Sequence, residues 1–317
     1  MLVGMTVASP YARELARMPV TTRVETLTGS RTQLWEYGAS GLDEAARAAA
    51  TTAVVVVHGF RGDHHGLEPV IAQLDEPGMR IVAPDLPGFG ESTPLAVTHD
   101  IDGYATWAKA LVASVRAQSP AARIVVIGHS FGSIVVSAAL AGEGDGGALE
   151  ADDIVLINPI AAPALAGPRG FMTRLAIGYY RFSAAVPEKL GFAILRSGLV
   201  VQIMSSTMAK TKDKGLRRWI HDQHHRYFSA FANRSVVLDA FRASVSHDVS
   251  EYAERIHAPV LMIAADRDDI TPVAAQYSVQ KMIPGAELVV IEGVGHLIHY
   301  ERPVEAADAI RSFLARS

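Results

Sequence analysis

Hydrophobic positions along the chain fall into two kinds of run. From 22 to 27 and from 31 to 37 (Arg31, Thr32, Gln33, Leu34, Trp35, Glu36, Tyr37) polar and apolar residues alternate, as in a half-exposed hairpin with Gly29 and Ser30 at its turn. Farther on the alternation disappears. Ala53–Val57, Ile81–Ala83, Ile124–Ile127, Ile154–Ile157, Val260–Ile263 and Leu288–Ile291 are short, β-branched runs without polar interruption. Strands buried on both faces of a parallel sheet read this way. Helical spacing fills the gaps at Leu67–Leu74, Tyr104–Ala117, Phe131–Ala141, Pro272–Met282 and Val304–Ala315, where crossover connections belong. The alternation predicts the α/β class: a mostly parallel, doubly wound sheet.

From 159 to 246 apolar helical patterns replace strands before Val260–Ile263 restores the sheet. The predicted organisation is an N-terminal arm (1–19), a first part of the sheet domain (20–158), an inserted helical cap (159–246) and a second part of the sheet domain (247–317). Residues 39–52, rich in alanine, read as a loop or short surface helix, and 142–147 as a loop. Of the 317 residues 49% are hydrophobic and 20% charged, which excludes disorder and collagen. A net charge of −4 leaves no electrostatic footprint for nucleic acid. The absence of cysteine removes thiol nucleophiles, Cys-ligated metals and disulfide scaffolds, and leans toward a cytoplasmic location. Met1–Pro19 lacks the basic and apolar regions of a signal peptide. Residues 124–140 and 190–209 are apolar, yet the first is broken by Gly128, His129, Ser130 and Gly132 and the second by Arg196 and Gln202, so no transmembrane segment is expected.

The chemistry concentrates in a few loops. Gly128-His129-Ser130-Phe131-Gly132 follows a predicted strand and opens a predicted helix. This is the setting of a nucleophile elbow, in which glycines permit the sharp turn and the Ser130 hydroxyl stands exposed above the sheet. The string alone is weak evidence; its place between strand and helix gives it weight. His58-Gly59-Phe60-Arg61-Gly62 follows the first buried strand. A carbonyl attacked by Ser130 would develop negative charge on oxygen, and the backbone N–H groups of Phe60 and Phe131 stand where an oxyanion hole needs them. His58 reads as part of the turn, against the alternative of a base or metal ligand, and His129 as a packing residue.

These pieces, with Asp85-Leu86-Pro87-Gly88-Phe89-Gly90-Glu91-Ser92, Asp266-Arg267-Asp268-Asp269-Ile270-Thr271-Pro272, and Gly295-His296 before Glu301-Arg302-Pro303, resemble the α/β-hydrolase superfamily from about Arg23 onward. The resemblance is to its cap-bearing branch of esterases, C–C hydrolases, cofactor-free haloperoxidases and prolyl iminopeptidases. It implies the α/β-hydrolase fold and a triad in the chain order Ser, acid, His. In the resembling proteins the acid stands four residues before the Pro of its turn, which lands on Asp268, with Asp266 and then Asp269 as alternatives. Relatives that carry the acid after the preceding strand would have it near Asn158, an amide here. His296, in a Gly-rich loop, is the expected base, with His299 as its competitor.

His221 and His225 lie one helical turn apart, the spacing of a two-histidine metal face, but no further ligands stand out near the His221/His224/His225 cluster. No metal and no cofactor are expected. His64 and His65 read as candidates for lining the entrance. Between Ile160 and Arg218 ten basic residues (Arg169 among them) face Glu188 and Asp213, so this stretch carries +8 and the remainder −12. Its apolar residues, among them Phe171, Met172, Leu175, Tyr180, Phe182, Phe192, Leu195, Leu199 and Ile203, would form an inner face for an acyl or aromatic group. A basic outer face would suit weak contact with anionic lipid surfaces. The expected activity is cleavage of a carboxylic ester of an apolar small molecule through Ser130, His296 and Asp268. C–C or amide hydrolysis and perhydrolysis by the same residues are the alternatives, and a ligand receptor with little turnover is the rival of another class.

Overall fold

The computed structural model describes residues 7–38, 43–163 and 170–317. Residues 1–6 of the arm, 39–42, and 164–169 with Arg169 lie outside the described residues, as do the side chains of Phe171 and Met172. Eight strands form one sheet: β1 (Val20–Leu27), β2 (Ser30–Tyr37), β3 (Thr52–Val57), β4 (Met79–Pro84), β5 (Arg123–His129), β6 (Asp153–Ile157), β7 (Val260–Ala265) and β8 (Glu287–Ile291). Their order is β1-β2-β4-β3-β5-β6-β7-β8. The hairpin is antiparallel and joins β4 antiparallel, while every pair from β4 through β8 is parallel.

Flanking helices are α1 (Ala12–Leu15), α2 (Glu44–Ala49), α3 (Glu68–Ile71), α4 (Ile101–Gln118) and α5 (Phe131–Leu140). Between β6 and β7 the chain runs through α6 (Gly170–Ala185), α7 (Glu188–Leu195), α8 (Gly198–Met208), α9 (Lys214–Tyr227) and α10 (Arg234–Ser246), and ends with α11 (Val273–Met282), α12 (Ile298–Glu301) and α13 (Pro303–Leu314). The central strands are apolar through their middles because each face meets its own helical layer. Val55, Val57, Ile124 and Val126 pack into one core, and Val54, Val56, Val125 and Ile127 into the other. Each such side chain contributes about 1.5–3 kcal/mol on burial, which fixes the strand ends where the loops below begin.

Three expectations are corrected. The hairpin turn is Thr28–Gly29, with Leu27 paired to Ser30. Both turn residues have positive φ (47° and 79°), which a two-residue turn matching the strand twist requires. β8 is an edge strand, half-buried except at Ile291. The helical pattern of 67–74 yields only the single turn of α3, preceded by a 3-10 turn at His64–Gly66. The apolar stretch 188–208, whose most apolar 18 residues have a mean hydropathy of 1.3, has the length and composition of a span, and only 22% of those 18 residues are buried. It is nevertheless two helices, divided at Arg196 and Ser197.

Candidate active site

The elbow is built by close contact. A Cβ on Gly132 would stand 2.3 Å from the Val57 carbonyl oxygen, and one on Gly128 would stand 2.7 Å from that of Gly132, so only glycine lets β5 turn into α5 against β3. Ser130 sits at the apex with φ 53° and ψ −117°, in a sparsely populated backbone region costing roughly 1–3 kcal/mol. The core on either side of β5 offsets this, and the Ser130 amide is fixed to the Ile157 carbonyl at 3.1 Å. Gly59 allows the preceding turn to abut the elbow: its Cβ would be 3.1 Å from that of Ser130.

Ser130, His296 and Asp268 meet at the ends of β5, β8 and β7. Ser130 Oγ lies 2.8 Å from His296 Nε2, and His296 Nδ1 lies 2.7 Å from Asp268 Oδ2. The Asp268 carboxylate is buried, and its other oxygen accepts from the amides of Ile270 (2.7 Å) and Thr271 (3.2 Å). Asp266 instead accepts from the Val294 amide at 3.2 Å and steadies the loop carrying His296. Asp269 pairs with Lys210 of the helical insertion. His299 is buried against the ring of His129 at 4.2 Å and bonds neither Ser130 nor Asp268. Burial, followed by the neighbouring histidines, holds both His129 and His299 well below the usual imidazole pKa, so they stay neutral.

The amides of Phe60 and Phe131 make no backbone hydrogen bond among the described residues, and their rings meet edge to face at 6.4 Å. His58 aligns the first of them. Its Nδ1–H donates to the Gly59 carbonyl at 2.8 Å while Nε2 accepts from the Leu86 amide at 2.8 Å. Gly62 N–H holds the same carbonyl at 3.2 Å. With that carbonyl pinned, the Phe60 N–H on the other edge of the peptide points the opposite way. Burial keeps His58 neutral, in the tautomer this requires.

Two contributors escaped sequence reasoning. Arg61 is 1% exposed, and its guanidinium donates to the Phe228 carbonyl (3.0 Å), the Tyr180 hydroxyl (3.1 Å) and the Leu195 carbonyl (2.7 Å), lying 5.3 Å from the Phe231 ring centroid. It straps the insertion onto the turn that carries Phe60. Its only sequence signal is a cation between Phe60 and Gly62 in that turn. Asn158 is a brace: its Nδ2 donates to the His296 carbonyl at 2.9 Å and its Oδ1 accepts from the Ala265 amide at 3.0 Å.

The surroundings are aromatic. Tyr180 stacks on Phe241 at 3.8 Å, and Phe60 lies 6.0–6.1 Å from Phe89, Tyr180 and Phe241. Leu175, Phe182, Leu199 and Ile203, expected to face inward, are instead exposed. His64 does not line an entrance: it is buried, stacked on Trp35 at 3.4 Å and bonded to Asp85 at 3.0 Å, while His65 stacks on Tyr227. One donor atom from each of Asp63, His64 and His65 falls within 4.8 Å, but Asp63 caps the His65 amide and His64 bonds Asp85 after β4. The other histidine cluster joins α8 to α9. His221 and His224 both bond Ser205, at 2.6 and 2.7 Å, and His225 bonds Gln202.

A family model described as the alpha/beta hydrolase family matches residues 54–309. Pyrrolizixenacetamide deacetylase of Xenorhabdus hominickii is 28% identical over 280 residues, covering 82% of this chain and 90% of that protein. Lipase 1 of Psychrobacter immobilis is 25% identical, covering 82% and 76%. Among solved structures, an esterase from Exiguobacterium antarcticum superposes with a TM-score of 0.70 at 16% identity, over 93% of this chain and 99% of the other.

Proposed function

Because this chain belongs to the alpha/beta hydrolase family, we propose that it is a serine hydrolase cleaving carboxylic esters with an apolar acyl or alkyl group beneath a helical cap. The observation that carries the reading is the unbroken relay from Ser130 Oγ through His296 to the buried Asp268 carboxylate, at 2.8 and 2.7 Å. In this reading Ser130 attacks the ester carbonyl while His296 Nε2 takes its proton. Asp268 holds the Nδ1–H tautomer and stabilises the imidazolium. The Phe60 and Phe131 amides receive the oxyanion, each such donor being worth roughly 3–4 kcal/mol in the transition state. Collapse breaks the C–O bond, and the departing alcohol takes the proton from His296. A water deprotonated by His296 then cleaves the acyl-enzyme, returning Ser130 to its hydroxyl form.

The ring of Phe60, Tyr180 and Phe241 supports an apolar acyl group. Amide cleavage by the same residues is the second reading, favoured by the relative named as a deacetylase. Initial rates on p-nitrophenyl esters of increasing acyl length, with an acyl anilide beside them, test the proposal. Turnover of the esters, lost by a factor of about 10⁴ or more in Ser130→Ala, is the expected result. Anilide turnover alone would establish the second reading. Ester rates unchanged in Ser130→Ala would refute both.

A further inference from the structure

The outward side of the insertion is unlike the rest of the surface. On α6, Leu175 and Phe182 stand two turns apart and are 52% and 59% exposed, each directly preceded by an exposed arginine, Arg174 and Arg181. α7 adds exposed Lys189 and Leu190, Arg196 is exposed just beyond its end, and α8 adds Leu199, 71% exposed, with Ile203 one turn on. Among the described residues the four cations form no salt bridge, Arg196 lying instead over the Phe192 ring at 5.5 Å, and from Arg174 to Met208 the single carboxylate is Glu188. Large apolar side chains held out in water among cations that lack a carboxylate partner are costly unless something covers them.

We infer that α6–α8 form a docking face for an anionic lipid surface, on which the molecule lies without crossing. Charge selects this occupant. A second copy would bring cations against cations, whereas an anionic leaflet complements them while the apolar side chains enter the acyl boundary. The −12 carried outside residues 160–218 is repelled by the same leaflet and turns the insertion toward it. Spanning is disfavoured by Arg196, which divides α7 from α8 at the middle of the apolar stretch.

Sedimentation of the full-length protein with phosphatidylcholine vesicles, with and without about one-third phosphatidylglycerol, tests this at low and high salt. The expected result is retention at least tenfold stronger on the anionic vesicles, weakened by salt. The variant Arg181→Gln/Lys189→Gln should lower it about 25-fold, at about fivefold per cation. Leu199→Asp should lower it about tenfold or more. These side chains are exposed, so unchanged melting curves exclude misfolding. Equal or absent retention on both vesicles, or anionic binding that neither variant weakens, would overturn the inference. So would concentration-dependent dimerisation, abolished by Leu199→Asp, in protein that ignores vesicles. None of these readouts depends on turnover, so failure here leaves the proposed hydrolysis standing.

Discussion

Replacing Arg61 by Met should loosen the insertion before it loosens the sheet. Methionine fills much of the same volume but offers no donor, so the carbonyls of Leu195 and Phe228 and the Tyr180 hydroxyl lose their partner together. A buried carbonyl left unsatisfied costs about 1–3 kcal/mol, which for two amounts to about 2–6. Part is returned because a guanidinium without a carboxylate is itself expensive to desolvate. A net loss of about 2–4 kcal/mol in the free energy of opening remains. At 1.4 kcal/mol per factor of ten, amide exchange in α6 and α7 should accelerate roughly thirty- to several-hundred-fold, with β3 and β5 changing little. Hydrogen exchange read by mass spectrometry on peptides from 174–196 and from the central strands makes the comparison. Arg61→Lys should fall between, since one ammonium cannot reach three acceptors in a planar fork. A change below threefold in α6 and α7, or equal acceleration throughout the sheet, would refute the strap.

Asp268→Asn should lower kcat/KM on the best ester by about 10⁴, because an amide cannot stabilise the imidazolium. Asp266→Asn, which keeps an acceptor for the Val294 amide, should cost less than tenfold; steady-state kinetics on both variants would expose a reversed ranking. Acid should destabilise the fold early. Burial holds His58, His129 and His299 below the usual imidazole range and pushes His224 down to about 3. Below about pH 6.5 the unfolded chain therefore binds protons that the folded one refuses, so stability is lost as pH falls, by up to about 1.4 kcal/mol per pH unit for each histidine. Urea midpoints at pH 7, 6 and 5 measure this, and a flat series would contradict it.

The sheet was legible because strands such as β3 and β5 carry uninterrupted apolar runs, Ala53–Val57 and Ile124–Ile127, a pattern that local composition alone carries. Ser130 and His296 announced themselves through glycine-flanked loops whose conformational demands are also local. Asp268 did not: three aspartates within four residues are equivalent by composition, and only the turn of a resembling family separates them. In the structure the separation is one of contacts, with His296, with the Val294 amide and with Lys210. Arg61 and Asn158 were invisible as contributors for the same reason. Their partners lie more than a hundred residues away, and contacts at that range leave no periodicity behind. The outward turn of Leu175, Phe182, Leu199 and Ile203 was missed because helical spacing says which residues share a face, not which face is turned to water.

All three groups of the proton relay stand on loops of one hydrogen-bonded sheet, whereas Tyr180 and Phe241 arrive on helices that enter and leave between β6 and β7. The chain has thereby separated what it does from what it does it to. Replacements within the insertion can reshape the aromatic lining around Phe60 and the outer face without moving a strand end, as long as Arg61 still finds its acceptors. Variation in substrate range should accumulate there, and exchange of this one contiguous segment between relatives is the shortest route to a new specificity on an unchanged chemical apparatus.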